Sequence, residues 1–279
     1  MLLFRQQAST PRNNNSIAIW HTLTPSETFL RLKNRWKRDE KPTRCSPLMA
    51  RIDGSCFSAF TKGLERPFDE RFVQLMVETT KFLVDKSEAQ LGYCQSDEIT
   101  LFWYLDKENY SNRELWFGGK FQKLTSILAG SASSYFSANI PKVLHEKQGC
   151  YPVFDARVWN VPDLEHAYLN FVWRQQDAQK NSVSMYARHF FSHKSLQGKT
   201  CREMKGMLAE VGKPWEELPK FFTHGTFVRR QRRLVNPEDL VGIPEKYRPT
   251  KAIVRTVVEK WEPYSLSDVE GFITENYPS

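Results

Sequence analysis

Cysteine pairs at metal-binding or redox spacing are missing from this chain. Its five cysteines, Cys45, Cys56, Cys94, Cys150 and Cys201, are scattered and odd in number, and no Cys-x-x-Cys occurs. That argues against a zinc site or a disulfide framework and for free, mostly buried thiols. Long apolar runs are missing too. None approaches the ~18 residues of a membrane span. Met1 to Ser16 hold no apolar signal-peptide core and read as a loose tail. The expectation is a cytoplasmic protein with no membrane partner. Internal repeats are also lacking.

What is present is a chain of 279 residues, long enough for a substantial core. Hydrophobic residues make up 40%, which favours a globular fold over a disordered one. Forty basic residues against 32 acidic ones leave a net charge of +8, which favours polyanionic partners.

Ser26–Lys41 reads as a basic helix, with Phe29, Leu32 and Trp36 near helical spacing. Pro47–Asp53 reads as a buried strand running into Asp53-Gly54. After Pro67, Asp69 is a candidate N-cap for a helix whose apolar stripe is Phe72, Leu75, Met76, Phe82 and Leu83. Ala89–Cys94 and Ile99–Leu105 are rich in aromatic and β-branched residues and read as two strands. Between them, Gln95-Ser96-Asp97-Glu98 forms the tip of a hairpin. A helix is expected within Gly118–Ala138 and a strand over Pro152–Trp159. Pro162 stands at a first helical position and opens a helix through Trp173.

That order is βαββαβ, the ferredoxin-like arrangement. Further on, Asn181–Phe191 is helical. Thr200 to Glu203 is a capping box for a helix carrying Met204, Met207, Leu208 and Val211, stopped at Gly212. Ala252–Trp261 is a last strand candidate. The expected fold class is α+β: a ferredoxin-like palm with a helical C-terminal extension. The expected division is 1–45, tail and basic helix; 46–175, catalytic core; 176–279, a helical and basic extension packed on the core.

An Asp-Glu pair in a turn is ordinarily just polar, because Asp is a common turn residue. The strand order changes this. The first strand is expected beside the strand that begins the hairpin, so that Asp53 meets Asp97 and Glu98. Three carboxylates at one sheet edge suit a two-metal nucleotidyl-transfer site, since hard divalent cations take oxygen ligands. His189 and His193 are four apart on an expected helix. The Glu of a His-Glu-x-x-His motif is absent between them, so no metal is expected there.

Several stretches then match a known pattern in order. They are Arg51-Ile-Asp-Gly54 with Phe57 and Phe60, Pro67-x-Asp69-Glu-Arg, and Tyr93-x-Gln-Ser-Asp-Glu98. Lys123-Leu124, Phe154-Asp-x-Arg157, Trp173-Arg-Gln-x-Asp177 and Gly225-Thr226 follow. From about Ser46 to Val228 the chain resembles the tRNA(His) guanylyltransferase family and its "like" proteins, the 3′–5′ polymerases. The resemblance implies a polymerase-type palm with two Mg²⁺ ions held by Asp53, Asp97 and the Gly54 carbonyl, with Glu98 supporting the metal site. It implies nucleotide binding by Asp53, Gly54, Ser55, Cys56, Phe57, Ser58, Arg66, Ser96, Asp97 and Lys123. It implies tRNA and nucleoside triphosphates as partners, ATP and GTP as substrates, and a homo-oligomer, with tetramers known in the family.

Two departures bear on substrate. The family's usual Arg-x-Phe-His after Asp-Gly is Ser55-Cys56-Phe57-Ser58 here, and its Cys-His-Ile-Asn-Asn is Ala178-Gln179-Lys180-Asn181-Ser182. That tilts the expectation from tRNA(His) toward templated addition on 5′-truncated tRNAs. With RNA as partner, Arg174, Arg229, Arg230, Arg232 and Arg233 are candidates for RNA contact. The competing readings are a palm-type nucleotide cyclase or oligonucleotide synthase, and a non-catalytic RNA-binding relative.

Overall fold

The computed structural model describes residues 46–104, 115–240, 242, 244–263 and 265–275. The N-terminal tail, the basic helix expected over Ser26–Lys41, Cys45 and Leu105 lie outside these residues.

Strand β1 (Leu48–Ser55) alternates as a strand buried on both faces must. Leu48, Ala50 and Ile52 enter one core, and Met49 enters another on the opposite face. Helix α1 (Glu70–Ser87) begins where Asp69 accepts hydrogen bonds from the backbone N–H groups of Arg71 and Phe72. Strands β2 (Leu91–Gln95) and β3 (Glu98–Trp103) form the hairpin. Helix α2 (Phe121–Val143) starts later than expected, because Phe117, Gly118 and Gly119 hold positive φ just before it. Strand β4 (Val153–Asn160) completes βαββαβ.

The sheet order among the described residues is β4-β1-β3-β2-β5-β6, antiparallel at every pairing. This corrects the expected neighbour of β1. It pairs with β3, the strand that ends the hairpin, with Asp53 opposite Glu98. The physical reason is direction: β3 runs antiparallel to both β1 and β2 and so fits between them, while α1 crosses over it.

Helices α1 and α2 cover one face, where Leu75, Leu83, Leu128 and Phe136 pack on Ile52, Ile99 and Leu101. The other face is covered by helix α3 (Leu164–Phe190) and, near the C-terminus, α5 (Leu266–Glu275). There Phe171, Val269 and Ile273 meet Met49, Leu91 and Phe102. Helix α4 (Cys201–Glu210) begins with the capping box of Thr200 and Glu203 and packs on the second half of α3 through Leu208.

Three expectations change. Pro162 is not the first helical residue; Asp163 follows it and N-caps α3 through the His166 N–H. The two expected helical stretches are one helix, so α3 runs unbroken across position 175. The Gln-Gln-Asp-Ala-Gln-Lys run looks like a break, but it holds neither Gly nor Pro, and Ala178, Ser182 and Val183 continue the buried stripe. The C-terminal part is not only helical. Strands β5 (Thr226–Val235) and β6 (Ile253–Trp261) extend the same sheet beyond β2, with Phe227 opposite Tyr93. Among the described residues no helix is long and apolar enough to cross a membrane.

Candidate active site

The end of β1 and the tip of the hairpin build the site. Ser96 and Asp97 form the turn, with Ser96 at φ 52°. Glu98 is already the first residue of β3. The Gly54 N–H donates to the Asp97 carbonyl at 3.0 Å and ties the two segments together. Gly54 is required by space: a Cβ there would meet the Phe57 ring at 2.4 Å. That ring is wedged among Phe60, Phe136 and Phe154, with centroids 4.8–5.6 Å away.

By strand alternation Arg51, Asp53 and Glu98 point to the α3 face. Glu98 is only 8% exposed and sits between two guanidinium groups. Arg51 Nη2 is 2.5 Å from one carboxylate oxygen, and Arg174 Nε, from α3, is 2.6 Å from the other. Arg51 also holds Asp53 Oδ2 at 2.9 Å, and Arg174 holds Asp177 at 3.1 Å. Burial pushes the Glu98 carboxyl above its ordinary value, while Arg174 and Arg51 pull against it.

Asp97 differs. Burial raises its carboxyl, hydrogen bonds from its own backbone and from Ser96 oppose that, the charge of Asp53 raises it further, and Arg51 opposes more weakly. Asp53 thus shares Arg51 with Glu98, while Asp97 has no ion pair among the described residues. Both line a cavity of about 800 Å³ together with Ser96, Arg66, Arg174 and Asp177.

The three-carboxylate metal cluster is not formed as expected. Among the described residues no group of three His, Cys, Asp or Glu side chains is placed to hold a metal ion. Glu98 is turned to its arginines instead. What remains for a hard cation is an all-oxygen set, the carboxylates of Asp53 and Asp97 on the cavity wall with the Gly54 carbonyl next in sequence, and oxygen donors of this kind suit Mg²⁺.

The residues expected to bind nucleotide divide. Asp53, Arg66, Ser96 and Asp97 line the cavity. Gly54, Ser55, Cys56, Phe57, Ser58 and Lys123 do not. Ser55, Cys56 and Ser58 are exposed at the turn beyond β1, and Phe57 is core. The Lys123 ammonium stands over the Phe117 ring at 4.4 Å.

The RNA candidates are also redistributed. Arg174 is committed to Glu98 and Asp177. Arg229 and Arg233 share Glu259 across β5 and β6, and Arg230 faces Glu88 at 3.8 Å. Arg232 is exposed. His189 and His193 fall on different helices, because α3 ends at Phe190 and Ser192 caps the next turn. Sequence reasoning gave Arg51 no role, although its i, i+2 spacing from Asp53 puts both on one face.

A palm-like antiparallel sheet with carboxylates at the edge of a large cavity suits phosphoryl-transfer chemistry, the class to which nucleotidyltransferases belong. The family model for tRNAHis guanylyltransferase (Thg1) matches residues 31–162. A bacterial Thg1-like protein in complex with ATP is 30% identical, with 75% of this chain and 87% of that chain covered at a TM-score of 0.67. A bacterial Thg1-like protein in complex with GTP is 26% identical, with coverage of 89% and 98%, also at 0.67. The Saccharomyces cerevisiae tRNA(His) guanylyltransferase shares the fold at 23% identity, covering 71% and 91%, with a TM-score of 0.62. The chain belongs to the tRNAHis guanylyltransferase family and is a nucleotidyltransferase of that type.

Proposed function

We propose that the protein is a Mg²⁺-dependent 3′–5′ nucleotidyltransferase that adds nucleotides to the 5′ end of tRNA. One observation carries the reading. In a chain of this family, Asp53 and Asp97 stand together at the cavity edge as half-buried carboxylates, Asp53 shared with Arg51 and Asp97 with no ion pair among the described residues. They and the Gly54 carbonyl would hold Mg²⁺, which when bound neutralises and orients phosphate oxygens. Glu98 holds Arg51 and Arg174 in place beneath them.

The solved relatives bind ATP and GTP. By the same chemistry, the RNA 5′ phosphate attacks the α-phosphorus of ATP or GTP and releases pyrophosphate; the 3′-hydroxyl of the incoming nucleotide then loses its proton and attacks the RNA's 5′ phosphorus, expelling AMP or GMP. Such phosphoryl transfers depend on positioning and charge neutralisation more than on covalent help. Arg66, on the cavity wall, supplies positive charge to a triphosphate; Ser96 positions it. Lys123 and the Ser55–Ser58 turn reach nucleotide only from outside this cavity, so their part is a second, peripheral contact. The catalytic core is residues 46–175, completed by Asp177 from the C-terminal part. The absent histidine motif favours truncated tRNAs over tRNA(His) alone. A cytoplasmic homo-oligomer, tetrameric as the resemblance implies, completes the reading.

A 5′-end labelling assay tests it. Full-length and 5′-truncated tRNAs are offered each of the four nucleoside triphosphates, with and without Mg²⁺. Mg²⁺-dependent incorporation at the 5′ end is expected, greater on truncated tRNA. No incorporation into any RNA, or cyclic or linear oligonucleotides formed from ATP and GTP alone, would overturn the reading.

A further inference from the structure

The cavity is longer than the carboxylate site needs. Its lining follows α3 from Arg174 through Asp177, Asn181 and Met185 to Arg188 and His189. At about 1.5 Å per residue the helix rises about 21 Å from Arg174 to Arg188.

Four arginines line this cavity, and counter-charge divides them. Arg51 and Arg174 are bound to Glu98, Asp53 and Asp177. Arg66 and Arg188 have no ion pair with another described residue; both are exposed. Arg66 lies in the loop before α1 and Arg188 in the last turn of α3. On the same lining, Met185, three residues before Arg188 on α3, is 37% exposed, and the Phe68 and Phe221 rings stand edge to face at 5.3 Å.

We infer that this far half of the cavity, centred on Arg188, holds a single-stranded stretch of the RNA substrate. Arg188 takes a backbone phosphate, and Met185 with Phe221 gives a base its apolar contact. The inference rests on the RNA 5′-end reading above. Uncompensated cations beside aromatic and apolar faces are what a single strand binds, because every nucleotide offers both a charge and a π-face. A triphosphate concentrates its charge in one place, and Arg66, assigned above to the triphosphate, already meets that need. A strand spreads its charges along a length, as this lining does. The site also relocates RNA contact from β5, where Arg229 and Arg233 are occupied by Glu259.

Arg188 also favours the C-terminal end of α3 through the helix dipole, so its effect on stability does not identify its role. Salt dependence does. A 5′-truncated tRNA transcript, whose opposing 3′ strand is unpaired, is titrated against wild type, Arg188→Glu, Arg188→Lys and Arg66→Ala over a range of salt. The KM for the nucleoside triphosphate is measured alongside, and thermal unfolding checks each fold. Arg188→Glu is expected to raise Kd for the RNA about tenfold. It should flatten the log Kd against log salt slope by about 0.7–0.9. Its triphosphate KM should stay at the wild-type value. Arg188→Lys should keep the slope, and Arg66→Ala should raise the triphosphate KM. Wild-type RNA affinity and slope in Arg188→Glu, beside a wild type that binds and extends the RNA, would overturn this inference alone. A raised triphosphate KM with RNA binding intact would do the same and make the far half a second triphosphate site. A wild type that neither binds nor extends any tRNA would overturn the functional reading first.

Discussion

Replacing Glu98 by Gln separates the part of the acidic cluster that stabilises the fold from the part that serves chemistry. Glu98 is 8% exposed and carries the charge that offsets Arg51 and Arg174. Gln keeps the shape and one acceptor but removes the charge. Two guanidinium groups then share only Asp53 and Asp177. Breaking a buried ion pair by removing one partner costs about 3–5 kcal/mol, and the retained acceptor places this change near 3. For 150–250 residues, each kcal/mol moves Tm by about 2–4 °C, so Tm should fall by about 6–12 °C. Asp97→Asn is the control. Asp97 has no ion pair among the described residues, so removing its charge strands no guanidinium, and the metal-free protein should be as stable as wild type or more so. Thermal and urea unfolding without Mg²⁺ read both variants. Unfolding of Glu98→Gln together with the wild type, or a loss in Asp97→Asn as large as in Glu98→Gln, would refute the structural role of Glu98.

Gly54→Ala should cost about 1–3 kcal/mol by overpacking, because the Cβ meets the Phe57 ring and that ring is boxed in by three others; urea unfolding measures it. Burial opposes the charge of Asp69, but the Arg71 side chain and the Glu65 and Phe72 N–H groups outweigh it and hold its carboxyl below 3.8. A depressed folded value means the unfolded chain takes the proton first. The contribution is therefore complete above 3.8 and lost as pH falls through the lower folded value, and Asp69→Asn should flatten the stability curve in that window. Burial pushes the Cys94 thiol up to about 12, whereas Cys56 and Cys150 are exposed. Peptide-level alkylation at neutral pH should label those two quickly and Cys94 only on unfolding.

The hairpin was legible because β-branched and aromatic runs flank a four-residue polar turn. The starts of α1 and α4 were legible because Asp69 and Thr200 act through bonds a few residues away. The β5–β6 ribbon was harder. Four arginines in five residues of β5 put charge on both faces and erase the alternation that marks a strand. Its place beside β2 depends on Tyr93 meeting Phe227 across a long separation. The unbroken α3 was obscured by a polar run whose small inner residues, Ala178 and Ser182, carry little hydrophobic signal. Asp53 and Asp97 were named from the motif, but the commitment of Glu98 to two arginines was not, since Arg174 reaches it from 76 residues away. Arg188 stood in no motif; only the cavity lining brings it to notice.

The most direct test is 5′-nucleotide addition by Asp97→Ala beside wild type, with tRNA affinity measured on the same preparations. Loss of Mg²⁺-dependent addition with tRNA binding retained is the predicted result. Addition at the wild-type rate by Asp97→Ala would contradict the assignment of the Asp53–Asp97 pair as the metal-holding centre.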